Sequence, residues 1–158
     1  MASAKSIRIG LISDTHNLVR PAALRALAGV DRILHAGDLC GPEVLAALGQ
    51  IAPVSAVRGN NDRGPWAQAM QISVAVEIAG VSIYMMHDLN ELDLDPGAAG
   101  FNVVISGHTH RPSVAGKNGV LYVNPGSAGP RRFRLPISLA VLDVAAGVAR
   151  AELLTLEN

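Results

Sequence analysis

The stretch "SIRIGLISDTHNLVRPAALRALAGVDRILHAGD" (6–38) decides the fold. An apolar run at 6–13 stops at Asp-Thr-His. A helical pattern follows at 20–29, with Pro21 near its start and Gly29 at its end. A second apolar run at 31–36 stops at Gly-Asp. Proline suits a first helical turn, whose N–H groups have no partner in the helix, and glycine suits the closing residue. The unit then repeats, with a helical pattern at 41–50, carrying Pro42 and Gly49, and a strand at 55–59. Strand, helix, strand, helix, strand predicts right-handed parallel crossovers. Beyond residue 70 the pattern changes. Strand-like runs lie at 72–79, 81–87, 102–106, 119–124, 137–144 and 148–157, and tight hairpins are expected at Gly80 and at Ala146–Gly147. The expected fold is α/β, with two sheets packed together and helices outside.

The 158 residues, 49% hydrophobic and 16% charged, suit one folded domain spanning 1–158. The aromatics are few (Trp66, Tyr84, Phe101, Tyr122 and Phe133), so the core must be aliphatic. Thirteen basic and thirteen acidic residues cancel, which removes any global pull toward nucleic acid or anionic membrane without excluding a local basic patch. The single cysteine, Cys40, excludes an intrachain disulfide and a cysteine-based zinc cage. The N-terminus lacks a signal peptide's long apolar region, and no stretch approaches the roughly 18 apolar residues of a membrane span. The expectation is a soluble cytoplasmic protein; its oligomeric state is open, and a homo-oligomer fits.

Polar residues cluster at strand ends. The runs are followed by "DTH" (14–16), "GDLC" (37–40), "GNND" (59–62), "HDL" (87–89) and "GHTH" (107–110). In open α/β sheets, ligands bind outside the carboxyl ends of the strands. All five histidines, His16, His35, His87, His108 and His110, fall at or just before such an end. Asp14-x-His16 and His108-x-His110 place paired ligands at i and i+2, which extended backbone would project to one face. Carboxylate, amide and imidazole without thiolate suit a divalent ion of borderline hardness, such as Mn, Fe or Zn. Asp14, His16, Asp38, Asn60, His87, His108 and His110 are too many ligands for one ion. Two ions sharing Asp38 would attract a phosphate and acidify a bridging water.

These blocks, in this order and spacing, resemble the calcineurin-like metallophosphoesterases, in particular their small single-domain prokaryotic phosphodiesterase branch. "NPGS" (124–127) followed by Pro130–Arg131 is similar to a late signature of that branch. The resemblance covers roughly residues 6–145. It implies a four-layer α-β-β-α sandwich of two mixed sheets flanked by helices, and a binuclear phosphoesterase site. Asp14, His16, Asp38 and His110 would hold one ion, and Asp38, Asn60, His87 and His108 the other. The cofactors would be two divalent ions, Mn first, with Fe, Zn, Ni or Co as alternatives. The implied reaction is hydrolysis of a small phosphodiester or nucleotide-like substrate by in-line attack of a metal-bridging hydroxide.

The chain departs from that pattern in two places. Asn61 stands where the family usually has His or Cys. It can donate hydrogen bonds to a phosphate but is no practical acid at neutral pH. The catalytic assignment therefore rests on Asp38 and Asn61, with Asn60, Asn61 and Arg131 as candidate substrate contacts. The second departure is His87-Asp88-Leu89 where the branch often has "HGH", so the loop 88–100 is expected to shape the pocket differently. His35 reads as a core or supporting histidine, Cys40 as small filler, and Asp62 as an orienting or capping residue. The alternative function is a non-catalytic scaffold like the retromer subunit of the same superfamily, whose metal site is degraded. Neither dinucleotide-binding nor P-loop glycine motifs occur, and no strong nucleic-acid signal is present.

Overall fold

The computed structural model describes residues 5–157. The first sheet runs β10(Val148–Thr155), β9(Ser138–Ala145), β1(Ile7–Ile12), β2(Arg32–His35), β3(Val54–Ala56) in spatial order. The second runs β4(Ser73–Ile78), β5(Val81–Met86), β6(Val103–Ile105), β8(Val120–Asn124), β7(Ser113–Lys117). Both are mixed. β1, β2 and β3 are parallel, as the alternating pattern at 6–59 requires, and β9 joins β1 antiparallel. In the second sheet β5, β6 and β8 are parallel and the two edge strands antiparallel. Two mixed sheets in an α/β sandwich are what the sequence leads one to expect.

Apolar alternation explains the packing. Ile9, Leu11, Leu34 and Ala36 from the first sheet meet Ile83, Met85, Val103 and Ile105 from the second, all fully buried. Each Val, Leu, Ile and Met of this set contributes roughly 1.5–3 kcal/mol on burial. The other face of the first sheet, with Ile12, Ile33, Leu139 and Val141, packs against α1(Pro21–Ala26), α2(Pro42–Gly49) and α3(Pro65–Gln68). The helical layer is uneven. All three α-helices serve the first sheet, while over the second a loop lays Phe101 against Tyr84, ring centroids 5.1 Å apart.

Both predicted hairpins form, and Ala79–Gly80 and Ala146–Gly147 have positive φ at both turn residues. Two elements are additional to the sequence reading. α3 is one short turn. β7 is exposed at every residue and shows no apolar alternation; it pairs with β8 through an Asn118–Gly119 turn with φ of 51° and 78°. That Asn-Gly pair is the local signal for the hairpin.

Register sets the site. Ile12, His35 and Ala56 lie level across the first sheet, and Met85, Ile105 and Val123 across the second. The loops after six parallel strands therefore leave from two neighbouring strand-end rows. Among the described residues, no helix is long and apolar enough to cross a membrane.

Candidate metal centre

The structure brings all seven predicted ligands together. Asp38 Oδ2 lies 3.7 Å from His16 Nε2 and 3.4 Å from His87 Nε2, between the two rings. Asp14 Oδ1 lies 3.3 Å from His110 Nε2, 3.9 Å from His87 Nε2 and 4.0 Å from His16 Nε2. Asn60 Oδ1 is 2.9 Å from His87 Nε2 and 3.2 Å from His108 Nδ1. Asp14, His16 and His110 form one group with the spacing of a metal site, and Asp14, Asp38 and His87 a second.

The donors fit divalent ions on an observation independent of spacing. Asp14 Oδ1, His16 Nε2 and His110 Nδ1 are buried without any hydrogen-bond partner. Buried polar atoms are otherwise almost always paired. Two of these orphans, Asp14 Oδ1 and His16 Nε2, face each other at 4.0 Å, and a cation between them would satisfy both.

Each ligand is aimed by its neighbours. Ser13 Oγ and the His108 N–H donate to Asp14 Oδ2, at 2.7 and 3.0 Å, leaving Oδ1 for the centre. His87 Nδ1 donates to the Ala36 carbonyl at 2.7 Å, which turns Nε2 toward the centre as the nitrogen that would bind a cation. Asn61 donates to Asp38 twice, N–H to Oδ1 and Nδ2 to Oδ2, both at 2.8 Å. Asp62, 6% exposed, accepts from the N–H groups of Asp38, Cys40 and Gly59 at 2.7–2.9 Å and ties two ligand loops together. From the "NPGS" loop, Asn124 Nδ2 donates to the Gly107 carbonyl and Ser127 Oγ to the Asp14 carbonyl.

One local reading needs correction. The i, i+2 ligand pairs are not on extended backbone. Asp14, His16, Asp38, His108 and His110 all have φ between 46° and 73°, the left-handed region. Such residues cost about 1–3 kcal/mol each and persist where surrounding structure over-determines them, typically at functional sites. Gly59, by contrast, is not among the positive-φ residues, so it is not needed to turn the chain. It is glycine for space, because a Cβ there would run into the Asp38 carboxylate and backbone N. Gly107 likewise clears Ser13 and Asp14.

Burial works against ionisation of Asp14 and Asp38, yet both carboxyls are held below the usual range. His110, His87 and Ser13 act on Asp14; His87 and Asn61 act on Asp38. Burial opposes charge on His87 too, but Asp38, Asp14 and the Ala36 carbonyl raise its pKa. Burial also pushes the Cys40 thiol up to about 11, with Asp38, Asp62 and Asp14 adding to it, so this thiol is not activated.

His35 takes the supporting role. It is fully buried, accepts from the Gly37 N–H at Nδ1 and meets Thr15 Oγ1 at 3.0 Å through Nε2. Burial pulls its pKa from 6.5 down to about 3. Below the ordinary value the unfolded chain takes a proton that the folded one refuses, so stability falls as pH drops from 6.5 toward about 3. The metal-free protein should lose up to ~1.4 kcal/mol per pH unit there. Urea unfolding in steps between pH 6.5 and about 4.5 should show a flatter profile for His35→Gln. Parallel profiles would contradict the assignment.

A cleft beside the ligands is lined by Arg58, Gly59, Asn60, Ile72, His87, Asp88, Glu91 and His108. Asn61, committed to Asp38, is not in that lining. Arg131 is exposed on a separate loop and does not line it either. Arg58 is the arginine that lines this cleft. The Asp88–Leu89 departure shapes the rim, since Asp88 caps a short turn through the Asn90 N–H and lies 3.8 Å from His108 Nε2.

Comparison with known proteins agrees with the geometry. The family profile "Calcineurin-like phosphoesterase superfamily domain" matches residues 7–147. A probable metallophosphoesterase of Methanothermobacter thermautotrophicus is 36% identical over 147 residues, covering 86% of this chain and 85% of that protein. A phosphodiesterase of Methanocaldococcus jannaschii is 26% identical over 155 residues, with 87% and 93% covered. Among solved structures, Vacuolar Protein Sorting 29 of Cryptosporidium parvum superposes with a TM-score of 0.76 at 22% identity, covering 94% of this chain and 97% of that one. An archaeal phosphodiesterase gives 0.75 at 24%, covering 94% and 100%. These two structural likenesses carry the fold alone.

Proposed function

Because this chain belongs to the calcineurin-like phosphoesterase superfamily, we propose that it is a binuclear metal-dependent phosphodiesterase acting on small or nucleotide-like phosphodiesters. The observation that carries this reading is the convergence of Asp14, His16, Asp38, Asn60, His87, His108 and His110 around buried atoms that lack partners.

One ion would be held by Asp14, His16, Asp38 and His110, and the other by Asp38, Asn60, His87 and His108. Mn is the first candidate, ahead of Fe, Zn, Ni and Co. Divalent ions there supply Lewis acidity and an acidified water. The chain's own residues do the positioning. Asp38 and Asp14 carry the negative charge that holds cations, and His87 keeps one nitrogen free by donating the other. Arg58 offers its guanidinium to a phosphate oxygen, and Ile72 gives an apolar wall for a substituent. Asp88 and Glu91 line the same cleft. That mixed charge suits a singly charged diester better than a doubly charged monoester.

Asn61, held on Asp38 through its N–H and Nδ2, cannot protonate a leaving group. Nitrophenyl phosphodiesters need little protonation and should be hydrolysed readily, whereas alkyl leaving groups should react poorly. Asn61→His should accelerate the poor leaving groups by ~10²-fold and the activated ones much less. The measurement is kcat/KM over leaving groups of graded pKa, at equal metal content. No turnover of any phosphodiester by Mn-loaded wild type would sink the proposal, and coincident slopes would remove Asn61 as the seat of a missing acid.

A further inference from the structure

We propose that the loop from Arg131 to Leu135, together with Arg111, binds single-stranded nucleic acid and leads its phosphodiester backbone to the metal-ligand cleft. This rests on the phosphodiesterase reading above. Phe133 is 88% exposed, the most exposed large hydrophobic among the described residues. Its φ of 55° is rare for a bulky residue. A turn in which the Leu135 N–H donates to the Arg132 carbonyl at 3.1 Å holds that φ and leaves the ring in solvent. Arg131, Arg132 and Arg134 flank Phe133 in sequence, and a hollow lined by Arg111, Phe133, Arg134 and Leu135 contains no acidic group. Among the described residues, no carboxylate pairs with any of these four guanidinium groups. In a chain of net charge zero this is a marked local excess of positive charge.

The hollow shares Arg111 with a neighbouring one that also contains Asp88, and Asp88 in turn lines the metal-ligand cleft. Arg111 directly follows His110, whose ring lies 3.3 Å from Asp14. At the other end, Gly129 packs so closely on the Asp14 and Thr15 carbonyls that a Cβ would collide with them. An exposed ring among guanidinium groups is the chemistry of single-strand binding, in which bases stack on the aromatic face and phosphates meet arginine. A membrane surface also attracts basic residues, but insertion calls for an apolar helix face, and here one ring projects from an arginine loop.

The test is fluorescence anisotropy of a labelled octathymidylate with metal-free protein, so that binding is read without turnover. The expected result is binding that weakens with salt at a slope of about −0.7 in log K per phosphate contact. Phe133→Ala should weaken it by about tenfold. The Arg132→Ser and Arg134→Ser double variant should reduce the slope by about 1.4. Phe133 lies in solvent, so its replacement leaves the fold intact. The inference is overturned by absence of binding at about 50 mM salt, by an unchanged affinity in Phe133→Ala, or by preferential capture on phosphatidylserine vesicles. Hydrolysis of bis(nitrophenyl) phosphate by metal-loaded wild type reads the catalytic proposal separately. Turnover without oligonucleotide binding removes this surface alone, and binding without any diester turnover removes only the catalytic reading.

Discussion

Replacing Asp38 by Asn is expected to lower kcat/KM for bis(nitrophenyl) phosphate by at least ~10³-fold, about 4 kcal/mol of barrier, while the protein stays folded. Asp38 is 2% exposed and its Oδ2 stands between His16 and His87. Its carboxyl is held ionised by His87 and Asn61 against the effect of burial. The amide has nearly the same shape but no charge. It also accepts through one oxygen, whereas Asn61 donates to two. The expected losses are therefore in cation affinity and in turnover together, and His108→Ala should follow the same direction more mildly. Near wild-type turnover in folded, metal-loaded Asp38→Asn would contradict the assignment.

The second large effect is expected at a residue that reaches no ligand position. Asp62→Ala removes the acceptor of three backbone N–H groups, those of Asp38, Cys40 and Gly59. Leaving buried donors unpaired costs about 1–3 kcal/mol each, reduced where water enters. A net loss of ~3 kcal/mol would lower Tm by about 10 °C in a domain of this size. The same three bonds fix the loops that carry Asp38 and Asn60. Metal affinity should therefore fall by ~10–100-fold, the range for groups that orient ligands. Thermal unfolding of the metal-free variant and competition with a metal indicator measure the two effects. A Tm within about 2 °C of wild type, with unchanged affinity, would show that the loops hold without Asp62.

How much of this was legible in the sequence depended on whether a residue acts through its own side chain or through backbone. Asp14, His16, Asp38, Asn60, His87, His108 and His110 are readable because each follows an apolar run that must end in a sheet, and parallel strands end level. The change near residue 70 signals a second sheet only in part, since β5, β6 and β8 are parallel there and the last hairpin, β9–β10, returns to the first sheet. What escapes is backbone geometry. The i, i+2 spacing suggests extended chain, yet the ligands converge through left-handed residues, which periodicity cannot reveal. Asp62 binds N–H groups 22 and 24 residues away, and nothing in its neighbourhood announces them. β7 carries no buried side chain, so only its Asn-Gly turn marks it. Arg131 and Arg58 show the same limit: charge is visible in sequence, but which loop faces the cleft is set by packing.

The most direct measurement is metal content per chain after anaerobic loading with Mn, by elemental analysis of protein freed of loose ions. The account predicts two divalent ions per chain in the wild type, with fewer in Asp38→Asn. A reproducible maximum of one ion, or none, in folded wild-type protein would contradict it.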